Sequence, residues 1–125
     1  MRIALRHGIP FVSVTVGYRD RQLQLDDVLL DTGSAGTVFS ADRLLAIDLL
    51  YEADDAVHRI RGVGGAEFVF SKRVDSLSLG DLQVNGFNVE VGAMDYGFEL
   101  DGILGLDLLM HVGAVIDLAQ MDVHG

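Results

Sequence analysis

The sequence predicts a fold of short β-strands with one or two short helices, and three observations lead there. Apolar and polar residues alternate over short stretches such as Gln22-Leu23-Gln24-Leu25, the period of a half-buried strand. Glycine occurs 15 times and proline once, which suits tight turns between short strands rather than a helical bundle. The apolar run Val28-Leu29-Leu30 leads straight into Asp31-Thr32-Gly33-Ser34-Ala35-Gly36, so a buried strand ends there in a sharp turn with a carboxylate at its tip. Gly33 permits that turn, either by positive φ or by letting another backbone approach closely.

The elements follow in order. Ile3 to Leu5 reads as a short edge strand, and Phe11 to Val16 as a β-branched strand that Gly17 ends. Tyr18-Arg19-Asp20-Arg21 is polar and reads as a hairpin loop. Gln22 to Leu25 is a strand with one wet face, interrupted by Asp26-Asp27 before the run into Asp31. Thr37-Val38-Phe39 resumes an extended course. Ser40 has the chemistry of a helix N-cap, and the helix it opens covers Ala41 to Leu49, with Leu44, Leu45 and Ile47 as its apolar side. The run of Leu44, Leu45, Ile47, Leu49 and Leu50 reads as core or dimer contact. Tyr51 to Val57 is an acidic loop, and His58 to Arg61 is a strand with an exposed basic face.

Gly62-Val63-Gly64-Gly65 separates that strand from a second extended stretch carrying Phe68, Val69, Phe70, Val74, Leu77 and Leu79. Two arms around a glycine-rich tip make a β-hairpin whose tip is expected to move. Gly80-Asp81 and Asn85-Gly86 both carry turn chemistry, but too few residues separate them for two hairpins. One of them marks a bulge, and the sequence leaves open which. Phe87 to Val91 is a strand and Gly92 to Glu99 a loop. Ile103-Leu104 is a short buried strand stopped by Gly105, and Leu106 to His111 is a helix. Val112 to Leu118 and Met121 to Val123 are closing strands.

The 125 residues are expected to form one domain, residues 1–125, with half of them hydrophobic and so enough for a core. A net charge of −10, from 19 acidic and 9 basic residues, argues against nucleic acid and anionic membrane surfaces as partners. Cysteine is absent, which removes disulfides, a thiolate nucleophile and cysteine metal sites. His7, His58, His111 and His124 are scattered without paired-ligand spacing, so no metal site is expected. Asp26-Asp27 and Asp54-Asp55 read as solvated surface charges, and Asp107 as a helix-start or structural acid. The N-terminus has no signal-peptide core and no run is long enough to span a membrane, which favours a cytoplasmic location.

Three landmarks carry a resemblance: Asp31-Thr32-Gly33 at a strand end, the glycine tip at 62–65, and Ile103-Leu104-Gly105 before a late helix. In this order they resemble the retropepsin-like aspartic proteases over roughly Pro10 to Leu118. The stretch Gly105-Leu106-Asp107-Leu108-Leu109 is similar to bacterial members and to the protease domain of ubiquitin-shuttle proteins. The resemblance implies an all-β, retropepsin-like closed β-barrel. It implies Asp31 as the catalytic carboxylate, Thr32 bonding across a dimer, and the Gly33 N–H directed at the carboxylates. Ser34 and the tip Gly62, Val63, Gly64 and Gly65 would contact substrate, and Ile103, Leu104 and Gly105 would support the Asp31 turn. It implies no cofactor and no metal.

Two positions depart from retroviral members. Leu106 stands where an Arg is usual, and Ser34 where Ala is usual. A Ser34 hydroxyl donating beside the carboxylates would favour their ionised form, which predicts an acid-shifted pH range. The chemistry needs two carboxylates sharing one proton, and the chain has one Asp-Thr-Gly. The second must come from a second subunit across a two-fold axis. The resemblance also implies that the termini interleave at the base of the dimer, with Ile3 to Leu5 and Met121 to Val123 as candidates. The expected activity is therefore that of a homodimeric aspartic endopeptidase acting on extended peptide segments, with hydrophobic residues near the cut. A non-catalytic dimerisation or peptide-binding module is the alternative. The glycine turn also resembles the phosphate loop of actin-like ATPases, a fold too large for this chain. The serine register excludes a serine-hydrolase elbow.

Overall fold

The computed structural model describes residues 1–62, 65–94 and 99–125, with residues 60–62 and 65–67 as backbone only. Among the described residues, ten strands and two short helices run in the order β1 (Ala4–Arg6), β2 (Ile9–Tyr18), β3 (Arg21–Leu30), β4 (Val38–Ser40), α1 (Ala41–Leu44), β5 (Val57–Gly62), β6 (Gly65–Leu79), β7 (Leu82–Gly92), β8 (Gly102–Leu104), α2 (Leu106–His111), β9 (Val115–Asp117) and β10 (Asp122–His124). Strands β2, β3, β8, β4, β7 and β6 follow one another, and β6 pairs back onto β2 through Val16 opposite Leu77. That pairing closes the sheet into a barrel and removes the edges that an open sheet would expose. Strands β1 and β5 hang outside the ring on β2 and β6. Inward residues of alternating strands, among them Val14, Val16, Leu25, Val28, Leu77, Leu79 and Leu104, fill the main core.

Strands β2, β3 and β7 are longer than the sequence suggests, because sheet pairing outweighs local breakers, whereas the closing strand expected over Val112 to Leu118 shortens to β9. Gly17 does not end β2; it pairs with Gln22 on one flank and Ser76 on the other. Asp26-Asp27 do not interrupt β3 but sit in a bulge, where the register slips by one between Val12 and Val14. Gly80-Asp81 is the hairpin turn, joining Leu79 to its partner Leu82. Asn85-Gly86 lies inside β7 and is no bulge, since Asn85 pairs with Ser76 and Phe87 with Val74 in one register. Gly86 takes a φ of 68° there.

Ser40 caps α1 as expected, accepting from the Arg43 N–H at 3.3 Å. The helix is shorter than Ala41 to Leu49. It tightens to a 3-10 turn over Leu45–Ile47 and stops where Asp48 adopts a left-handed φ of 57°. Leu44, Ile47 and Leu49 are buried, whereas Leu45 and Leu50 are exposed. Helix α2 matches its expected span. At the far end β9 and β10 form a hairpin, and the N-terminal segment lies along β10. Ile3 N–H donates to Met121 O and Val123 N–H to Met1 O, both at 2.8 Å. The terminal segments expected to interleave with a second subunit thus pair with each other within one chain. No helix among the described residues is long and apolar enough to cross a membrane.

Candidate active site

Strand β8 lies between β3 and β4 and organises the Asp31 turn. It runs parallel to β3, with Leu29 beside Ile103 and Leu30 beside Leu104. It runs antiparallel to β4, with Val38 opposite Ile103. The chain therefore leaves the barrel along β3, turns through Asp31 to Thr37, and returns on the other side of β8. The Asp31 N–H continues the β3–β8 ladder by donating to Leu104 O at 3.0 Å. Asp31 is half-buried, and Thr32, Gly33 and Ala35 are exposed.

Within the turn, the Gly33 N–H donates to Asp31 Oδ1 at 3.0 Å and the Ser34 N–H to Asp31 O at 3.2 Å. Gly33 needs no left-handed φ; its use is close approach, since an added Cβ would stand 3.2 Å from Asp31 Oδ1. The first bond fixes the carboxylate's orientation with a neutral donor. The Ser34 hydroxyl donates to Gly36 O at 2.8 Å, not to Asp31. Its one hydrogen is committed inside the loop, so the acid shift expected from a Ser34 donor has no donor in this geometry. Thr32 makes no hydrogen bond among the described residues and offers its hydroxyl to the surface.

The outer limb of the turn is fastened to α2. Leu106 N–H donates to Ser34 O at 2.7 Å. Gly105 N–H donates to Thr37 Oγ1 at 3.0 Å, and that hydroxyl donates to Asp107 Oδ1 at 2.8 Å. Asp107 Oδ1 also accepts from the Leu108 N–H at 2.7 Å, which satisfies one of the unpaired donors at the start of α2. Gly105 is a glycine for space: a Cβ there would lie 2.3 Å from Gly36 O and 2.5 Å from its carbon. Ile103, Leu104 and Gly105 thus all touch the turn or the strands that carry it.

An aspartyl protease family model matches residues 12–108, the span from β2 into α2. The chain belongs to the aspartyl protease family. Among curated proteins none matches it. The matched span holds Asp31-Thr32-Gly33 and Ile103-Leu104-Gly105, and it leaves out β1, β9 and β10.

The remaining members of the expected site are less concentrated. Gly62 and Gly65 pair with each other at the end of the β5–β6 hairpin, and Val63 and Gly64 lie outside the described residues. Leu106, in place of the usual Arg, is 40% exposed and carries no ion pair. Sequence reading missed Thr37, whose side chain is 1% exposed and links the Asp31 turn to α2. Its signal was a hydroxyl residue opening the buried run Thr37-Val38-Phe39. Asp107 is the structural acid expected of it.

Asp26, Asp27 and Asp55 are not simply solvated, a correction to the sequence reading, whereas Asp54 is exposed as expected. Asp26 accepts from Ser13 and Gln24, and the Gln24 amide foremost holds its carboxyl below the usual range. Asp27 pairs with Arg6, whose guanidinium lies 4.9 Å from the centre of the Phe11 ring. Asp27 N–H also donates to the buried Asp101 Oδ2 at 3.1 Å. Asp55 lies 2.6 Å from the buried Lys72 Nζ, and that hydrogen bond holds its carboxyl below the usual range. Among the described residues no group of three or more His, Cys, Asp or Glu stands close enough to hold a metal ion.

Proposed function

We propose that this chain is a homodimeric aspartic endopeptidase in which two Asp31 carboxylates, one per subunit, activate a water molecule. The observation that carries the reading is the Asp31 turn. A carboxylate stands at a strand end, at the surface, oriented by the Gly33 N–H and fastened on both limbs. One chain has one such carboxylate. Across a two-fold axis the pair shares a proton: the ionised Asp31 takes a proton from water while the protonated one donates to the scissile carbonyl. Water attacks directly, so no covalent intermediate forms. Thr32, exposed and unbonded among the described residues, would offer its hydroxyl to the partner turn. An extended peptide would lie between the Asp31 floor and the tip at 62–65, with main-chain hydrogen bonds along it.

The test combines assembly and turnover. Sedimentation should find a dimer, and peptide cleavage measured from acid to neutral pH should fall about a thousandfold in Asp31→Asn. The Asn amide oxygen can still accept from Gly33 N–H, so the variant should fold. A chain that never pairs has no second carboxylate and ends the proposal. A proven dimer that cleaves nothing at any pH would leave the peptide-binding module as the reading.

A further inference from the structure

The wall beside the Asp31 turn carries a row of three polar side chains, one from each strand of the β5–β6–β7 sheet. On β6, Val69 and Ser71 are two residues apart and share a face. His58 of β5 stands opposite Val69, and Glu90 of β7 opposite Ser71, so both lie on that face. Val69 packs in a small cluster with Phe11, Val38, Met94 and Leu100, against which Leu29 and Ile103 also lean. Leu29 precedes Asp31 by two residues and points to its side of the strand, while Leu30 points into the barrel. The Glu90 N–H donates to Thr37 O at 2.9 Å, at the return limb of the turn. The row therefore flanks the surface on which a peptide over Asp31 would lie.

Its hydrogen bonds fix the chemistry it presents. Ser71 Oγ is 2.8 Å from His58 Nε2 and 3.1 Å from each Glu90 carboxylate oxygen. A carboxylate only accepts, and a hydroxyl has one hydrogen. Ser71 thus donates to Glu90 and accepts from a protonated Nε2 of His58. The other ring nitrogen, Nδ1, belongs to an exposed side chain and makes no hydrogen bond among the described residues. In acid, where an imidazole takes up a second proton, Nδ1 becomes a donor with positive charge. Of the charged groups on this face, Glu90 bonds to Ser71, and Arg73 follows Ser71 by two residues on β6. Arg59, next to His58, and Lys72, next to Ser71, lie on the opposite face of their strands.

We propose that His58 is a specificity-determining residue that takes a carboxylate side chain of the substrate, with Ser71 and Glu90 as positioning residues. The proposal rests on the reading of the Asp31 surface as a peptide cleft. A cationic ring would add charge to the Nδ1 donor, so the preference is for a carboxylate over the matching amide.

The test uses peptides on one cleavable sequence that differ by Glu or Gln at single positions flanking the cut. In weak acid the wild type should favour Glu over Gln at one position by roughly tenfold in kcat/KM, the worth of one charge-assisted hydrogen bond. His58→Gln should bring that ratio near one, and Glu90→Gln should lower it while leaving kcat/KM for the Gln peptide unchanged. A ratio unchanged in His58→Gln, or no Glu preference at any position, overturns the proposal. Binding of the same peptides to Asp31→Asn separates this from the peptidase reading. If the wild type turns over nothing, a Glu preference in binding that His58→Gln removes supports the residue's role without the activity. Equal binding of both peptides, or of neither, overturns it.

Discussion

The Asp31 turn and the loop between α1 and β5 are both irregular segments on the outside of one barrel, and they are fastened by different forces. The turn hangs on backbone donors and a buried hydroxyl: Asp31 N–H to Leu104 O, Leu106 N–H to Ser34 O, and Gly105 N–H to Thr37 Oγ1. The loop hangs on charge. Lys72, buried on β6, bonds to Glu52 at 2.8 Å and Asp55 at 2.6 Å, and Arg19 adds a contact to Glu52 at 2.9 Å. Around this clasp Tyr51 meets Phe70 edge to face, and the Ser71 N–H reaches Ala56 O. Apart from the Asp31 and Asp107 carboxylates, what holds the turn does not titrate. What holds the loop does. The shared-proton chemistry proposed for Asp31 would thus rest on fastenings that mostly do not titrate, and the acid-sensitive fastening lies at the root of the β5–β6 hairpin.

The sharpest way to break this contrast is to take away the turn's close packing. Gly105→Ala puts a methyl group 2.3 Å from Gly36 O, a backbone atom that moves only with the whole turn. The expected cost is about 3 kcal/mol, with cleavage lost because the carboxylate is displaced. Denaturant unfolding and peptide turnover check it; a variant as stable and active as wild type would show that Gly36 does not pack against Gly105. Thr37→Val comes next. It keeps the shape but strands the Gly105 N–H and deprives Asp107 of a donor, at about 2 kcal/mol. Thr37→Ser restores the hydroxyl and should recover most of the loss. Lys72→Met keeps the buried stem and removes the ammonium from a clasp whose Glu52 end is half in water, so the expected loss is only about 1 kcal/mol, with turnover at neutral pH little changed.

Legibility in the sequence followed the same division. The Asp31 turn was readable because its chemistry is local: an apolar run, a carboxylate and a glycine in succession, with the Ser40 cap and the α2 helix equally local. The fold class was readable from alternation and from three ordered landmarks. The fastenings were not, because each joins residues far apart in the chain. Thr37 meets Asp107 across 70 positions, and Lys72 meets Glu52 across 20. Lys72 did leave a trace, since it lies two residues from the buried Val74 and so faces inward, where a lysine requires acidic partners. Gly17 and Asp26-Asp27 misled for related reasons: a local breaker does not end a strand paired on both flanks, as at Gly17, and a bulge absorbs Asp26-Asp27 without ending β3.

The smallest expected effect sharpens the contrast most, because it is a difference of differences. Hydrogen bonds from Lys72, with Arg19 adding to them, hold the Glu52 carboxyl below its ordinary range. The Asp55 carboxyl is held down first by Lys72 and then by the Glu52 N–H. Such carboxylates stabilise the fold while ionised; their contribution is complete above the ordinary carboxylate range and is lost as pH falls through their lowered values. Burial, the largest single effect on Lys72, pushes its ammonium down, but the bonds to Asp55 and Glu52 outweigh it and leave the group raised. Its contribution is complete below the ordinary lysine value and is lost only in strong alkali. The clasp is therefore whole at neutral pH and dissolves in acid. The melting temperatures of wild type and Lys72→Met should differ by a few degrees at neutral pH and converge in acid. Those of wild type and Thr37→Val should stay apart over the same range. Hydrogen exchange should follow suit, with the Ser71 and Asp55 amides losing protection in acid before the Asp31 amide. A gap between wild type and Lys72→Met that persists undiminished in acid would mean that packing of the lysine stem, not charge, fastens the loop, and the contrast between the two regions would fail.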